Sequence, residues 1–337
     1  MLILLKKNII DTDKKALRRF LAEKNVEVVS VENDNHNLFV VIGRCGELTK
    51  KEIAQNQHVA KILDVDKPYK LSAKSELSDK TKIKIGESLT IGNRKIIIMA
   101  GPCSVESKEQ ILNTADAIKK TGTHILRGGA YKPRTAPYDF QGLGKIGLHF
   151  LKAASKATGM PTITEVWDVR DIEYMHDFTD IFQVGTRNMQ NYPLLKELGK
   201  QKKPVLLKRG MWATYKEFLL AAEYILVGGN GNVILCERGI RTHVPETRFT
   251  LDLNIVGFLK HETHLPVFVD PSHGTGRASL VRVMSRAAIA AGADGLLIEA
   301  HLDPRRSLSD ADQAISMEEL KKLIKEVKLI ARALDRH

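Results

Sequence analysis

PVLLKRGMWATYKEFLLAAEYILVGGNGNVILCERG, Pro204 to Gly239, carries the fold in one repeat. An apolar run, PVLL, stops abruptly at Lys208-Arg209-Gly210. A helical segment follows, TYKEFLLAAEYILVGG, closed by glycine as a helix C-terminus should be. A second apolar run, NVIL, then stops at Cys236-Glu237-Arg238-Gly239. Apolar runs without alternation mean strands buried on both faces, which is the condition of a parallel sheet. The same rhythm occurs eight times from Lys95 onward, in KIIIMAG, HILRGG, PTITEV, DIFQVG, PVLLKRG, NVILCERG, LPVFVDPSHG and GLLIEAH. Eight β/α units in about 240 residues predict a (β/α)8 TIM barrel over residues 95–337. A doubly wound sheet is disfavoured, because no GxGxxG follows the first run and fewer strands would be expected.

Upstream the pattern changes. MLILLKK, VEVVSVE, NLFVVIG and VAKILDVDKPY read as strands, and DTDKKALRRFLAEKN and LTKKEIAQNQ as helices, the first opened by Asp11 or Thr12 as N-cap. The order βαββαβ predicts a small ferredoxin-like α+β domain over residues 1–70. Residues 71–94 read as a polar linker followed by a β-hairpin, TKIKIGESLTIGN, turning at Gly86-Glu87-Ser88.

The chain of 337 residues carries 43% apolar and 27% charged residues, an ordinary globular composition. No apolar run approaches the roughly 18 residues of a membrane span. MLILLKK is too short for a signal segment, so cytoplasm is the expected location and no membrane partner is expected. The formal net charge of +12 is spread rather than gathered in a tail, and aromatics are only 6%. A nucleic-acid partner would favour a clustered basic patch with interleaved aromatics, so none is expected. Acidic small substrates fit better. Cys45, Cys103 and Cys236 are too far apart for a CxxC pair and odd in number, which excludes a disulfide framework.

In such barrels the active site lies at the C-terminal strand ends. Here every apolar run ends in polar chemistry: Cys103; Arg127 with Lys132 and Arg134 in its loop; Glu165; Gln183 with Arg187; Lys208 and Arg209; Cys236, Glu237 and Arg238; Asp270 and His273; Glu299 and His301. Asp310 lies in the last loop. One group is cationic, formed by Arg127, Lys132, Arg134, Arg187, Lys208 and Arg238. Guanidinium forks bind phosphate and carboxylate oxygens bidentately, and lysine acts as a point charge. So many cations facing one barrel mouth would repel one another when empty, which implies a substrate with several negative charges or two phosphorylated substrates. The other group, Cys103, His273, Glu299 and Asp310, would be neighbours once the barrel closes. Four such ligands suit a divalent transition ion (Zn²⁺, Mn²⁺, Fe²⁺ or Co²⁺), and the thiolate argues against Mg²⁺ or Ca²⁺.

GPCSVES, LRGGAYKPRTAPYDFQGLG, VGTRNMQN, LLKRG, ILCERGIRT, VDPSHGTGR and EAHLDP…LSDADQ resemble, in order, the 3-deoxy-D-arabino-heptulosonate 7-phosphate (DAHP) synthases of type I-beta. The resemblance covers the barrel and extends to the N-terminal ferredoxin-like unit of a regulated subset. It implies metal-dependent condensation of phosphoenolpyruvate with erythrose 4-phosphate and water, the first step of the shikimate pathway to aromatic amino acids. It places one divalent metal ion per subunit on Cys103, His273, Glu299 and Asp310. Phosphoenolpyruvate contacts fall on Arg127, Lys132, Arg187, Lys208 and Arg238, and aldose-phosphate contacts on Lys132, Pro133, Arg134 and Thr135. Lys132 and His273 are then the expected proton-transfer groups, and Glu165 the residue expected to position the water.

The sister family making 3-deoxy-octulosonate 8-phosphate from arabinose 5-phosphate carries a KANRS-like loop where this chain has Lys132-Pro133-Arg134-Thr135, so the four-carbon sugar is expected. A Schiff base on Lys208 would be a different mechanism, and an RNA-binding role for residues 1–70 lacks the stacking aromatics. An aromatic amino acid, tyrosine or phenylalanine, is the expected effector of residues 1–70, which carry no catalytic residue. A homotetramer is the family expectation.

Overall fold

A computed structural model describes residues 1–32, 37–43, 45–75 and 80–337; the centre of the expected linker lies outside this set. The N-terminal unit runs β1 (Leu2–Leu5), α1 (Asp11–Glu23), β2 (Glu27–Glu32), β3 (Asn37–Ile42), α2 (Glu47–Gln55) and β4 (Val59–Leu63). Its strands form an antiparallel sheet in the order β2-β3-β1-β4. Ile3, Leu5, Phe39 and Val41 from the sheet and Leu17, Leu21 and Ile53 from the helices make its own core. The start of α1 differs from expectation. Ile10, in extended conformation, is the N-cap, and no side chain caps the helix. Asp11 and Asp13 lie inside the first turn, where their charge favours the helix dipole instead of closing a cap.

Residues 67–75 and 80–82 are strapped to the barrel. Lys67 Nζ and Tyr69 Oη reach Glu262 Oε2 at 2.5 and 2.9 Å, and the amides of Leu71 and Ser72 donate to the Glu223 carboxylate at 3.0 and 2.6 Å. Thr81 N donates to His264 O at 2.9 Å. Tyr69 and Ala73 join the barrel core. The hairpin β5 (Ile83–Ile85) and β6 (Leu89–Ile91) follows as expected.

The barrel consists of β7 (Ile97–Gly101), α3 (Lys108–Lys119), β8 (Ile125–Arg127), α4 (Lys145–Thr158), β9 (Thr162–Val166), α5 (Ile172–His176), β10 (Ile181–Val184), α6 (Tyr192–Gly199), β11 (Val205–Lys208), α7 (Tyr215–Val227), β12 (Val233–Glu237), α8 (Asn254–Glu262), β13 (Val267–Val269), α9 (Pro271–Thr275), α10 (Ala278–Ala290), β14 (Gly295–Glu299) and α11 (Met317–Ala333). All eight strands pair in parallel, and β14 closes on β7 in the register Gly295↔Ile97 to Glu299↔Gly101. Successive side chains point to opposite faces, and both faces are filled. Ile97, Met99, Ile163, Ile181, Leu206, Ile234, Phe268 and Leu297 fill the interior, and Ile83, Ile85, Leu89 and Ile91 of the hairpin plug its lower end. Ile98, Leu126, Phe182, Leu207 and Leu296 face outward against helix residues such as Ile111, Leu148, Phe218 and Leu323. In α7, Thr214 and Glu217 form a reciprocal capping box that fixes where the helix starts after the Lys208-Arg209 strand end.

The N-terminal sheet rests near the turn after α7. A Cβ on Gly229, at φ +102, would lie 3.0 Å from the Glu32 carbonyl oxygen. That turn precedes β12, so the contact lies at the end of the barrel opposite the strand C-termini.

Candidate active site

The barrel register carries the last residue of each strand to one rim. Arg127 and Glu299 end β8 and β14, on either side of β7, and their buried side chains pair at 2.5 Å. Cys103 lies just beyond β7, between them. Its Sγ receives a bond from Lys132 Nζ at 2.9 Å and lies 3.1 Å from Asp310 Oδ2 and 3.0 Å from Ser309 Oγ. Sγ, one oxygen of Glu299 and one of Asp310 all lie within 4.8 Å of one another. Burial and the Glu299 charge push the Cys103 thiol up to about 12, so without a bound cation the sulfur carries its proton and donates it toward Asp310. Burial would raise Glu299, but His273 and Arg127 outweigh it and hold the carboxylate down at about 2. Asp310 is lowered too, since His273, Lys132 and the Cys103 bond outweigh burial. Asp310 adopts φ +53, a left-handed conformation uncommon outside glycine.

A second cluster forms at β11 and β13. Asp270 caps α9 by accepting from His273 N at 2.9 Å, and its other oxygen holds His273 Nδ1 at 2.7 Å and Lys208 Nζ at 2.5 Å. Burial favours the uncharged carboxyl, yet His273 and Lys208 hold Asp270 well below the usual carboxylate range. Burial dominates at His273 and lowers it, which favours the neutral ring. A neutral ring giving its Nδ1 proton to Asp270 presents an Nε2 lone pair, and Nε2 lies 3.4 Å from Glu299 Oε1. The structure thus gathers Cys103, Glu299 and Asp310 tightly and sets His273 beside them, on the Glu299 side.

Arg238 leans on the Phe249 ring at 4.1 Å, and its buried NH1 has no hydrogen-bond partner among the described residues. Burial without a close counter-charge pulls the guanidinium down to about 10. Arg248 sits on the same ring at 5.6 Å and donates through NH1 to Asp310 Oδ1 and Gln313 Oε1, both at 3.2 Å. Gln313 passes the contact on, donating from Nε2 to Glu299 Oε2 at 2.6 Å. Arg209 points elsewhere, into a buried pair with Glu237 and Asp252 at 3.0 and 2.9 Å. Glu165 accepts from Gln183 Nε2 at 3.1 Å. A Cβ on Gly185 would lie 2.0 Å from the Glu165 carboxylate, so only glycine leaves room for it.

In the loop after β8, Lys132 is buried, Pro133 and Arg134 are half-buried and Thr135 is exposed. Arg134 donates to Phe140 O at 3.1 Å and to the Ser309 hydroxyl. Arg187, in a short 3-10 turn after β10, is exposed. The cations were expected to repel one another in an empty mouth. Instead Arg127 and Lys208 are paired with Glu299 and Asp270, Lys132 bonds to Cys103, and the NH1 of Arg238 has no hydrogen-bond partner among the described residues. Sequence reading missed Arg248, Ser309 and Gln313. They sit in loops whose approach to the rim has no periodic signal, although Asp270, three residues before His273, is spaced as an N-cap.

Residues 73–334 match the model of the DAHP synthetase I family. A phospho-2-dehydro-3-deoxyheptonate aldolase of Thermotoga maritima is 42% identical, over 99% of this chain and 98% of its own. A crystal structure of the Thermotoga maritima phospho-2-dehydro-3-deoxyheptonate aldolase (DAHP synthase) superposes with a TM-score of 0.79 at 41% identity, covering 99% of this chain and 98% of that one. A truncated form of the Thermotoga maritima synthase covers 80% of this chain and 98% of its own, with a TM-score of 0.74 and 44% identity. A 2-dehydro-3-deoxyphosphooctonate aldolase of Syntrophotalea carbinolica is more distant, 28% identical over 74% of this chain and 95% of its own.

Proposed function

The chain belongs to the DAHP synthetase I family, and we propose that the rim just described condenses phosphoenolpyruvate with erythrose 4-phosphate and water to give 3-deoxy-D-arabino-heptulosonate 7-phosphate and phosphate. The observation that carries this reading is the convergence of four buried cations, Arg127, Lys132, Lys208 and Arg238, on a cup shared with Cys103, Glu299 and Asp310. Arg127, Lys132, Lys208 and Arg238 with the exposed Arg187 hold the phosphate and carboxylate of phosphoenolpyruvate. Arg134 and Thr135, with Lys132 and Pro133, hold the sugar phosphate beside it. These cations are set before substrate arrives, so little reorganisation is needed as charge moves in the reaction.

One divalent transition ion fits Cys103, His273, Glu299 and Asp310. A sulfur, a neutral imidazole oriented by Asp270 and two carboxylates form a donor set for such an ion. When bound, it supplies Lewis acidity for the aldehyde carbonyl. The chain's own part is positional: C3 of phosphoenolpyruvate is held against the aldehyde carbon, water adds at C2, and phosphate leaves by C–O cleavage. Lys132 through Nζ and His273 through the Nδ1 proton it shares with Asp270 move protons, and Glu165, fixed by Gln183, orients the water.

Residues 1–70 read as a ferredoxin-like regulatory unit ahead of a connecting segment (71–94) and the catalytic barrel (95–337). The antiparallel order β2-β3-β1-β4 supports that reading, as does a family match that begins at residue 73. We further propose that tyrosine or phenylalanine binds this unit, and that the protein is a cytoplasmic homotetramer. Because Lys67 and Tyr69 are bonded to the barrel, the informative deletion stops before them. It should retain turnover and lose inhibition by the amino acid.

The test is phosphate release from phosphoenolpyruvate with four- and five-carbon aldose phosphates. Turnover with erythrose 4-phosphate, lost in EDTA and restored by Mn²⁺, is the expected result. Preference for arabinose 5-phosphate would overturn the assignment of the sugar.

A further inference from the structure

Ser309 is buried between two groups that the proposed function uses for different purposes. Its hydroxyl accepts from Arg134, the cation assigned to the sugar phosphate, and lies 3.0 Å from Cys103 Sγ, the sulfur assigned to the metal. A hydroxyl has one hydrogen to give. With the Arg134 N–H donating into its oxygen, that hydrogen is free for the sulfur. Lys132 Nζ is a second donor to Sγ, at 2.9 Å. The Ser309 oxygen therefore lies in a chain that runs from guanidinium through hydroxyl to sulfur. Donors in such chains polarise one another, so a hydroxyl that accepts from a cation is the stronger donor to the next atom.

We propose that Ser309 is a positioning residue that couples aldose-phosphate binding to the metal-ligating sulfur. The inference rests on the proposed function, in which Arg134 binds the sugar phosphate and Cys103 the ion. A phosphate that engages Arg134 draws its N–H away from Ser309. The hydroxyl becomes a weaker donor, and more electron density stays on Cys103 Sγ. Arrival of the second substrate thereby strengthens the sulfur as a ligand at the moment the aldehyde reaches the cup. Nothing in the chain direction requires a change of protonation.

The full chain loaded with Co²⁺ reports this through its sulfur-to-cobalt charge-transfer band. Erythrose 4-phosphate is titrated with phosphoenolpyruvate omitted, so no turnover occurs, and calorimetry follows its binding separately. In the parent the band should move to longer wavelength as the sugar phosphate saturates. Ser309→Ala should start at longer wavelength and not move, while still binding the sugar. Its Co²⁺ dissociation constant should hold or fall, because the sulfur keeps the electron density that the hydroxyl draws off in the parent. Ser309→Thr keeps the hydroxyl and should restore the shift. A band in Ser309→Ala that moves as in the parent refutes the coupling, as does a parent band that stays still while the sugar binds. If only arabinose 5-phosphate binds, the assignment of the sugar fails instead, and the same titration with that sugar tests Ser309.

Discussion

Asp270→Asn tests the inner rim most directly, because one carboxylate there does three things. It caps α9 through His273 N, fixes His273 Nδ1 and neutralises Lys208 Nζ, with the Lys208 and Asp270 side chains only 4% and 1% exposed. Asparagine keeps the shape and one acceptor, so the cap survives. Its amide, however, cannot neutralise Lys208 and cannot accept from both Nζ and Nδ1. Removing one member of a buried ion pair costs about 3–5 kcal/mol. With the cap retained we expect the lower end, about 3 kcal/mol, read as a fall in the urea midpoint at unchanged slope. The loss should narrow when phosphoenolpyruvate is saturating, since an anion on Lys208 supplies the missing charge. Turnover should fall about 10–100-fold through the misoriented His273, as for other groups that support a ligand. The KM for phosphoenolpyruvate should hold or fall, because the free Lys208 gains most from the anion. An unchanged midpoint with unchanged kcat would show that Asp270 neither neutralises Lys208 nor orients His273.

Cys103→Ser should lower bound Mn²⁺ or Zn²⁺ at least tenfold after dialysis, measured by elemental analysis; full retention would remove Cys103 from the ligand set. Arg238→Met deletes a buried cation with no ion-pair partner among the described residues, so the urea midpoint should hold or rise while phosphoenolpyruvate binding is lost in calorimetry. Burial holds His124 down at about 4, against an ordinary value near 6.5. The unfolded chain then binds more protons than the folded one between those values, so stability is present above about 6.5 and falls as pH drops toward 4. His124→Asn should remove up to one proton from that slope, about 1.4 kcal/mol per pH unit, in urea midpoints taken from pH 7 to 4. An unchanged slope would show that His124 titrates alike in both states.

The barrel was legible because its signal is periodic and repeated. Runs such as PVLL and NVIL must be buried on both faces, and eight of them leave few architectures open. The groups at their ends were legible for the same reason, since strand direction places Arg127, Lys208, Asp270 and Glu299 on one rim. What the sequence could not reveal lies in irregular backbone. The approach of Arg248 to Asp310 and of Ser309 to Cys103 depends on loops from opposite parts of the chain. The strap at residues 67–75 was equally hidden. KLSAKS reads as a polar linker, and only the facing Glu223 and Glu262, each about 150 residues or more away, turn its amides and cations into anchors.

The two sets of rim residues, cationic and metal-ligating, looked separable by charge, and the structure interleaves them. Arg127 holds Glu299, Lys132 holds Cys103 and Arg248 holds Asp310. Every one of these pairs joins a cation to a residue proposed above as a ligand of the ion. That arrangement accounts for Arg127 and Lys208, which face acids from adjoining strands, while Lys132 meets the protonated Cys103 thiol and Arg134 a carbonyl and a hydroxyl. It also ties the two functions energetically. A divalent cation held there as proposed would compete with the arginines and lysine for the same lone pairs, so binding it would loosen the cations beside the acids. Arg238, whose NH1 has no partner among the described residues, is the exception, and an anion from outside the chain is the counter-charge proposed for it.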